Sequence, residues 1–310
     1  MRVLPGPTKS NTVLAWSPNG QFVAAGGSGV GVTLWDVEAE TPGQHVLGAG
    51  HGGEEMVFCP VTGRLYVAFR SGGFWTVDPD TGAERGRWTL DNGVYYDNPA
   101  VSADGRTVVL YRYSSRSTAP NEHAIIGYEV SDTGALTETW MWPDPFYRNT
   151  GRRFDFTWRP RTNQLFGIHD PVKQQEFAWV TATTGAQIGS LELPAGTHVA
   201  HWTLSPDGDR VAWLAEHTLY VQRLDGAVPL VLPAGPDVYR RGLAWSPDGR
   251  TLAHASGRMV CLLDADTLSA VRAFDWGTGK PRAVAFSPDG FRAAVSADGG
   301  RGWVTVFDLE

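Results

Sequence analysis

Short apolar runs alternate with turns along the whole chain, and the turns share one composition. An apolar run ends in Ser-Pro-Asp-Gly or a related sequence, and a second apolar run follows at once. Pro presets φ, Asp caps its own turn and Gly accepts a positive φ, so each copy predicts a tight turn between two strands. The clear copies occupy residues 17–20, 205–208, 246–249 and 287–290, and weaker copies occupy 59–63, 102–105 and 159–163.

The seven turns recur at a nearly regular interval. Their first residues are 42, 43, 57, 46, 41 and 41 positions apart. A repeat of about 40–45 residues that is rich in strands is typical of a β-propeller. Large apolar residues alternate with period two at 303–308, as a sheet packed between two neighbouring sheets requires. The sequence therefore predicts an all-β fold, a seven-bladed β-propeller of four-stranded antiparallel blades that forms one domain over residues 1–310.

The last repeat lacks a fourth strand, and the beginning of the chain offers a substitute. The third strand of repeat 7, predicted at 303–308, reaches the end of the sequence. Residues 2–4 precede the inner strand at 13–16 in the same way that residues 46–47 precede the inner strand at 56–58. We therefore expect the N-terminal strand to close the last blade, which removes the open edge that this blade would otherwise present.

Repeat 1 carries the fullest sequence pattern. Residues 13–36 combine an apolar run, the turn, an Ala-containing strand and the sequence Val-Thr-Leu-Trp-Asp, which ends at Asp36. This pattern resembles the WD40 repeat family, and Gly50-His51 lies where that family places its Gly-His pair. The resemblance covers nearly the whole chain and implies the propeller fold. It implies no particular function, because such propellers serve many processes. Only repeat 1 keeps the Trp-Asp pair, so apolar packing must hold the other blades.

Composition and charge narrow the range of functions. The net charge of −7 argues against a general nucleic-acid-binding surface, which needs a broad excess of cations. Cys59 and Cys261 fit neither a disulfide framework nor a metal site, and they indicate free thiols in a reducing compartment. The chain begins without a signal-peptide core and contains no apolar run of about 18 residues. We therefore expect a cytoplasmic monomer with no cofactor, which binds neither nucleic acid nor membranes.

Basic and aromatic residues gather before the inner strands of repeats 4, 6 and 7. In a WD40-like ring the fourth-to-first and second-to-third strand connections share one rim, the top rim, and we call that end of each blade its top end. Arg suits carboxylate and phosphate groups, and Tyr, Trp and Arg dominate binding hot spots. We therefore predict a non-enzymatic scaffold that binds an acidic or phosphorylated protein or peptide through the top rim. The predicted partner-binding residues are Tyr147, Arg148, Arg152, Arg153, Tyr239, Arg240, Arg241, Trp276, Lys280 and Arg282.

Two long connections are expected side by side on the same rim. One is the Ser/Thr-rich loop at 113–123, between the second and third strands of repeat 3. The other, at 144–153, leads into repeat 4 and carries four of the predicted partner-binding residues. Adjacent insertions of this kind could form a shelf for a peptide, although loops of this length are also tolerated without a function.

Two other functions fit parts of the sequence. Propeller hydrolases and lactonases use Glu, Asn, Asp and His around a metal in the central channel, a set that Glu55, Asp97, Asn98, Asp155 and His201 could imitate. A small-ligand sensor would place its ligand in the same channel. The uneven positions of these polar residues on their strands favour binding over catalysis, so the sequence predicts no catalytic residue and no metal ligand.

Overall fold

The structure is a computed structural model. It describes residues 1–6, 13–27, 31–41, 43–48, 53–69, 73–88, 94–114, 123–131, 133–144, 154–169, 175–194, 196–234, 238–275, 279–298 and 304–309, with the backbone alone at 53–54, 238–241 and 298. Every regular element among these residues is a β-strand. None of the described residues forms a helix with the length and apolar character needed to cross a bilayer.

In chain order the strands are β1 (Arg2–Leu4), β2 (Val13–Trp16), β3 (Phe22–Gly27), β4 (Gly31–Asp36), β5 (Gln44–Leu47), β6 (Gly53–Phe58), β7 (Leu65–Phe69), β8 (Gly73–Val77), β9 (Glu84–Trp88), β10 (Val94–Val101), β11 (Thr107–Ser114), β12 (Ala124–Val130), β13 (Leu136–Pro143), β14 (Asp155–Trp158), β15 (Gln164–His169), β16 (Glu176–Thr181), β17 (Gln187–Glu192), β18 (Val199–Leu204), β19 (Arg210–Ala215), β20 (Thr218–Arg223), β21 (Leu230–Pro233), β22 (Val238–Trp245), β23 (Thr251–Ser256), β24 (Met259–Asp264), β25 (Ala270–Asp275), β26 (Lys280–Phe286), β27 (Arg292–Asp298) and β28 (Val304–Asp308).

These strands form seven four-stranded antiparallel blades, and the chain is a seven-bladed β-propeller. Blades 1 to 6 are β2–β5, β6–β9, β10–β13, β14–β17, β18–β21 and β22–β25, each with its strands hydrogen-bonded in chain order. Blade 7 consists of β26, β27, β28 and β1.

The blades fall into two compact units. Residues 1–52 and 198–310 hold blades 1, 5, 6 and 7, and residues 53–197 hold blades 2, 3 and 4. The predicted fold class and number of blades are confirmed.

The N-terminal strand closes blade 7, as predicted. β1 pairs antiparallel with β28, with Arg2 opposite Val306 and Leu4 opposite Val304. The Leu4 side chain is fully buried, whereas the neighbouring Val3 is partly exposed. The strand therefore contributes both backbone pairing and a core side chain to the blade.

The same segment also joins blade 7 to blade 1. The Arg2 guanidinium donates to backbone carbonyl oxygens of the turn at 37–40, which follows β4. The indole Nε1 of Trp35 donates to the carbonyl oxygen of Pro5 at 2.9 Å. Residues 2–5 therefore provide hydrogen-bond partners that blade 1 would otherwise lack.

Each Ser-Pro-Asp-Gly turn is held by a buried serine. The Ser246 hydroxyl donates to Asp248 Oδ1 at 2.6 Å and accepts from the backbone N–H of Thr251 at 2.9 Å. Gly249 completes the turn at φ 70°, a conformation that favours glycine. The hydrogen bond from Ser246 is the main cause that lowers the pKa of Asp248. The same arrangement recurs at Ser17, Ser102, Ser205 and Ser287, so these serines serve the turns.

Apolar clusters fill the spaces between neighbouring blades within each unit. One cluster joins blades 5 and 6 and includes Leu219 and Trp245. Others join blades 6 and 7, 7 and 1, 2 and 3, and 3 and 4. Burial of apolar surface stabilises by about 25 cal/mol per Å², so these clusters hold blades that lack the Trp-Asp pair.

Candidate functional site

The predicted partner-binding residues fall into two groups. Five of them lie outside the described residues: Tyr147, Arg148, Arg152, Arg153 and Trp276. The other five were expected in loops, but the structure places them in strands, Tyr239, Arg240 and Arg241 in β22 and Lys280 and Arg282 in β26. The inner strands of blades 6 and 7 thus begin earlier than predicted.

Irregular pairing explains why these two strands extend so far. In β26 the register shifts between Pro281 and Ala283, which makes Arg282 an extra residue opposite β27. In β22 the register against β23 shifts between Val238 and Leu243. A bulge adds a residue to one strand, so the regular alternation of side chains is interrupted while the strand continues. Bulges are frequent beside functional sites. A polar segment that looks like a loop in the sequence can therefore remain within the strand.

β22 and β26 run side by side at their top ends. A parallel bridge pairs Arg241 of β22 with Ala283 of β26. Arg282 immediately precedes that bridge. Its side chain is half-buried, and the Lys280 side chain is exposed. The fold therefore brings two of the predicted basic segments together at the top ends of blades 6 and 7.

A buried carboxylate links residues that flank the two long connections of blades 3 and 4. Asp144, directly after β13, is 1% exposed. Its Oδ2 accepts from the Tyr111 hydroxyl at 2.7 Å and from the backbone N–H of Phe154 at 3.3 Å. Its own backbone N–H donates to the carbonyl oxygen of His123 at 2.9 Å. Asp144 thus links β11, the start of β12 and the residue that precedes β14, a role that sequence reasoning did not assign to it.

We expect Tyr111→Phe to lower the free energy of unfolding by about 1–2 kcal/mol, because it removes a donor from a buried carboxylate. Tyr95→Phe is the matched control, since it keeps the ring stacked on Tyr113 and should change stability by less than about 0.5 kcal/mol. Chemical unfolding of both variants measures the difference. Equal stability of the two variants would show that the Asp144 hydrogen bond contributes nothing.

Aromatic and histidine side chains also lie at the top ends of blades 3 and 4. The Tyr113 ring stacks on Tyr95 with 5.1 Å between ring centroids and on His123 with 6.5 Å. In blade 4, His169 Nε2 lies 3.0 Å from Glu176 Oε1. Burial is the main cause that raises the pKa of Glu176, and the carboxylate of Glu192 on the paired strand raises it further. The top ends of blades 3 and 4 thus combine aromatic rings with carboxylates.

The polar residues of the enzyme alternative lie on the inner strands of their blades. Glu55 is half-buried in β6, Asp97 and Asn98 lie in β10, and Asp155 begins β14 with an exposed side chain. His201 lies in β18, in the other unit. Among the residues that the structure describes, no three His, Cys, Asp or Glu side chains are grouped closely enough to hold a metal ion.

Two arginines join neighbouring blades in a way that sequence reasoning missed. Arg292 at the start of β27 lies over the Trp16 ring of blade 1, with 5.3 Å from Cζ to the ring centroid. Its guanidinium donates to the carbonyl oxygen of Gly20 at 3.2 Å and to Glu38 Oε1 at 2.6 Å. The Trp16 indole donates in turn to the carbonyl oxygen of Ala285 at 3.1 Å.

Blades 5 and 6 repeat this arrangement. Arg210 lies 4.9 Å from the Trp245 ring centroid and donates to the carbonyl oxygen of Gly249 and to Asp266 Oδ1. Both arginines lie five residues after the turn Ser of their own repeat, and the inner strand of the neighbouring blade ends in Trp. For Arg292 that Trp is Trp16 of repeat 1, at the other end of the sequence. We call each set an arginine clasp, the first formed by Arg292 and the second by Arg210.

Comparison with known proteins supports the fold alone. No family model matches the chain. No curated protein matches it either. Among solved structures, it is similar to the β-propeller domain of Cps50 (Swd1) from Myceliophteria thermophila, with a TM-score of 0.76 and 11% sequence identity over 100% of both chains. This similarity shows that the chain has a β-propeller fold.

Proposed function

We propose that this propeller is a non-enzymatic interaction module that binds an acidic or phosphorylated protein or peptide through the top ends of blades 6 and 7. A propeller suits such a role because its blades form a rigid scaffold. The strand ends and loops at their edges are not needed for the packing of the core, so their side chains can bind a partner. The net charge of −7 favours a protein partner over nucleic acid. The basic residues at this end would then select for the opposite charge in the partner.

The bridge between Arg241 and Ala283 carries the proposal. It sets β22, with Arg240 and Arg241, directly beside β26, with Lys280 and Arg282. Basic residues on two adjacent strand ends create a region of positive electrostatic potential, although the protein as a whole is negatively charged. This region attracts an acidic segment of a partner. Arg also forms strong charge-assisted hydrogen bonds with carboxylate and phosphate groups.

The test compares the wild type with an Arg241→Glu/Arg282→Glu variant on arrays of acidic, phosphorylated, neutral and basic peptides. We expect the wild type to retain acidic or phosphorylated peptides and to release them as salt screens the charges. The variant should bind them at least ~10-fold more weakly, because charge-assisted hydrogen bonds are replaced by repulsion. Fluorescence anisotropy with peptides selected from the array gives the dissociation constants.

Arg223→Glu/Arg250→Glu is the matched control. It changes the net charge by the same amount in the same unit, but Arg223 ends β20 and Arg250 follows the Ser246 turn, both at the opposite end of their blades. Both side chains are exposed. If the two double variants lose binding equally, the effect reflects net charge and the proposed site is wrong. If the folded wild type retains no acidic or phosphorylated peptide, the proposed function is wrong.

A further inference from the structure

The two arginines at the top ends of blades 6 and 7 occupy the same position of the repeat. Arg241 lies four residues before Trp245, and Arg282 lies four residues before Phe286, the residues that end the two inner strands. In the other five repeats the equivalent residues are Thr12, Glu54, Asp97, Phe154 and Ala200. Five blades are thus built without Arg at this position, so the repeat does not require Arg there.

The backbone brings these two positions next to each other. Arg241 pairs with Ala283, so Arg282 is one residue from the bridge. Paired strands lie roughly 4.8 Å apart, so the two arginines begin from neighbouring points on adjacent strands. Arg282 is the extra residue of the β26 bulge, and its half-buried side chain has less freedom to lose on binding than an exposed one. Lys280 is set further back, opposite Asp298, and is left out of the site.

Two arginines side by side suit a phosphate group better than a carboxylate. A carboxylate offers two oxygens, which one guanidinium engages in a bidentate pair. A phosphorylated side chain offers three strong acceptor oxygens and about −1.5 to −2 charges, enough for two guanidinium groups at once. On the basis of the proposed function, we propose that Arg241 and Arg282 form the binding site for a phosphorylated Ser or Thr residue of the partner peptide.

The experiment uses three matched sets of peptides with common flanking sequences, in which the central residue is phosphoserine, glutamate or serine. The proteins are the wild type, Arg241→Lys/Arg282→Lys, and the control Arg223→Lys/Arg250→Lys. We expect the wild type to bind phosphoserine peptides at least ~10-fold more tightly than glutamate peptides. The Lys variant keeps the charge but loses the planar fork, so it should lose that preference while the control retains it.

Two results would overturn this site, and the first of them leaves the proposed function intact. In the first, glutamate peptides bind as tightly as phosphoserine peptides and the Lys variant binds both as the wild type does, which indicates an acidic partner recognised by charge alone. In the second, inorganic phosphate binds as tightly as the phosphopeptides do and no flanking sequence is preferred, which indicates a site for small phosphates and overturns the proposed function as well. If no acidic or phosphorylated peptide binds the folded wild type, the proposed function fails and the phosphate site fails with it.

Discussion

A chain without residues 1–6 should melt about 6 °C below the full sequence, because roughly 4 kcal/mol of stabilisation is lost. The deletion removes the buried Leu4 side chain, and loss of such a side chain costs about 2–5 kcal/mol. It also leaves the Trp35 indole without the Pro5 carbonyl oxygen, and an unpaired buried donor costs about 1–3 kcal/mol. Finally, it exposes the edge of β28, which can pair with other chains. Calorimetry measures the shift, and size-exclusion chromatography measures the association.

A milder substitution tests the same strand if the truncated chain does not fold. Leu4→Ala should destabilise by about 2–5 kcal/mol. Val3→Ala, on the same strand but with a side chain that is 38% exposed, should cost less than about 1 kcal/mol. An unchanged melting temperature and a monomeric state for the truncated chain, together with equal effects of the two substitutions, would refute the role of β1 in closing blade 7.

We expect Arg292→Ala to lower the free energy of unfolding by about 2–3 kcal/mol. The substitution removes the cation–π contact with Trp16 and the charge-assisted hydrogen bond to the Gly20 carbonyl oxygen. The ion pair with Glu38 adds little, since the Glu38 side chain is 57% exposed and surface pairs are worth at most about 1 kcal/mol. Arg210→Ala should behave alike, because Arg210 makes the same set of contacts between blades 5 and 6.

Glu38→Gln separates the two parts of the first arginine clasp. It keeps the cation–π contact and the carbonyl hydrogen bond, and we expect it to cost less than about 0.5 kcal/mol. Urea unfolding of the three variants beside the wild type gives the comparison. If Arg292→Ala costs no more than Glu38→Gln, the first arginine clasp is only a surface ion pair.

The sequence was sufficient for the architecture because its signals are local and repeated seven times. The Ser-Pro-Asp-Gly turn forms from its own residues, as Ser246 and Asp248 show, so composition predicts each turn directly. The closing strand was predictable as well, since residues 2–4 stand before the first inner strand where a fourth strand belongs.

The same reasoning failed where tertiary contacts decide the structure. Lys280 and Arg282 look like loop residues because they break the apolar alternation, yet a bulge keeps them within β26. The contacts of Arg292 join elements that are far apart in the sequence, so no local pattern shows where its side chain lies. Asp144 resembles an ordinary loop residue until folding brings Tyr111 and Phe154 to it.

The pairing of β1 with β28 also constrains how blade 7 is made in the cell. Residues 2–4 leave the ribosome roughly 300 residues before their partners at 304–306. At a synthesis rate of about 5–20 residues per second, β1 waits on the order of 15 to 60 s without its neighbour. A strand of three residues presents little edge to other nascent chains during that wait. Blade 7 is thus the one blade that forms only after translation has passed through every other blade.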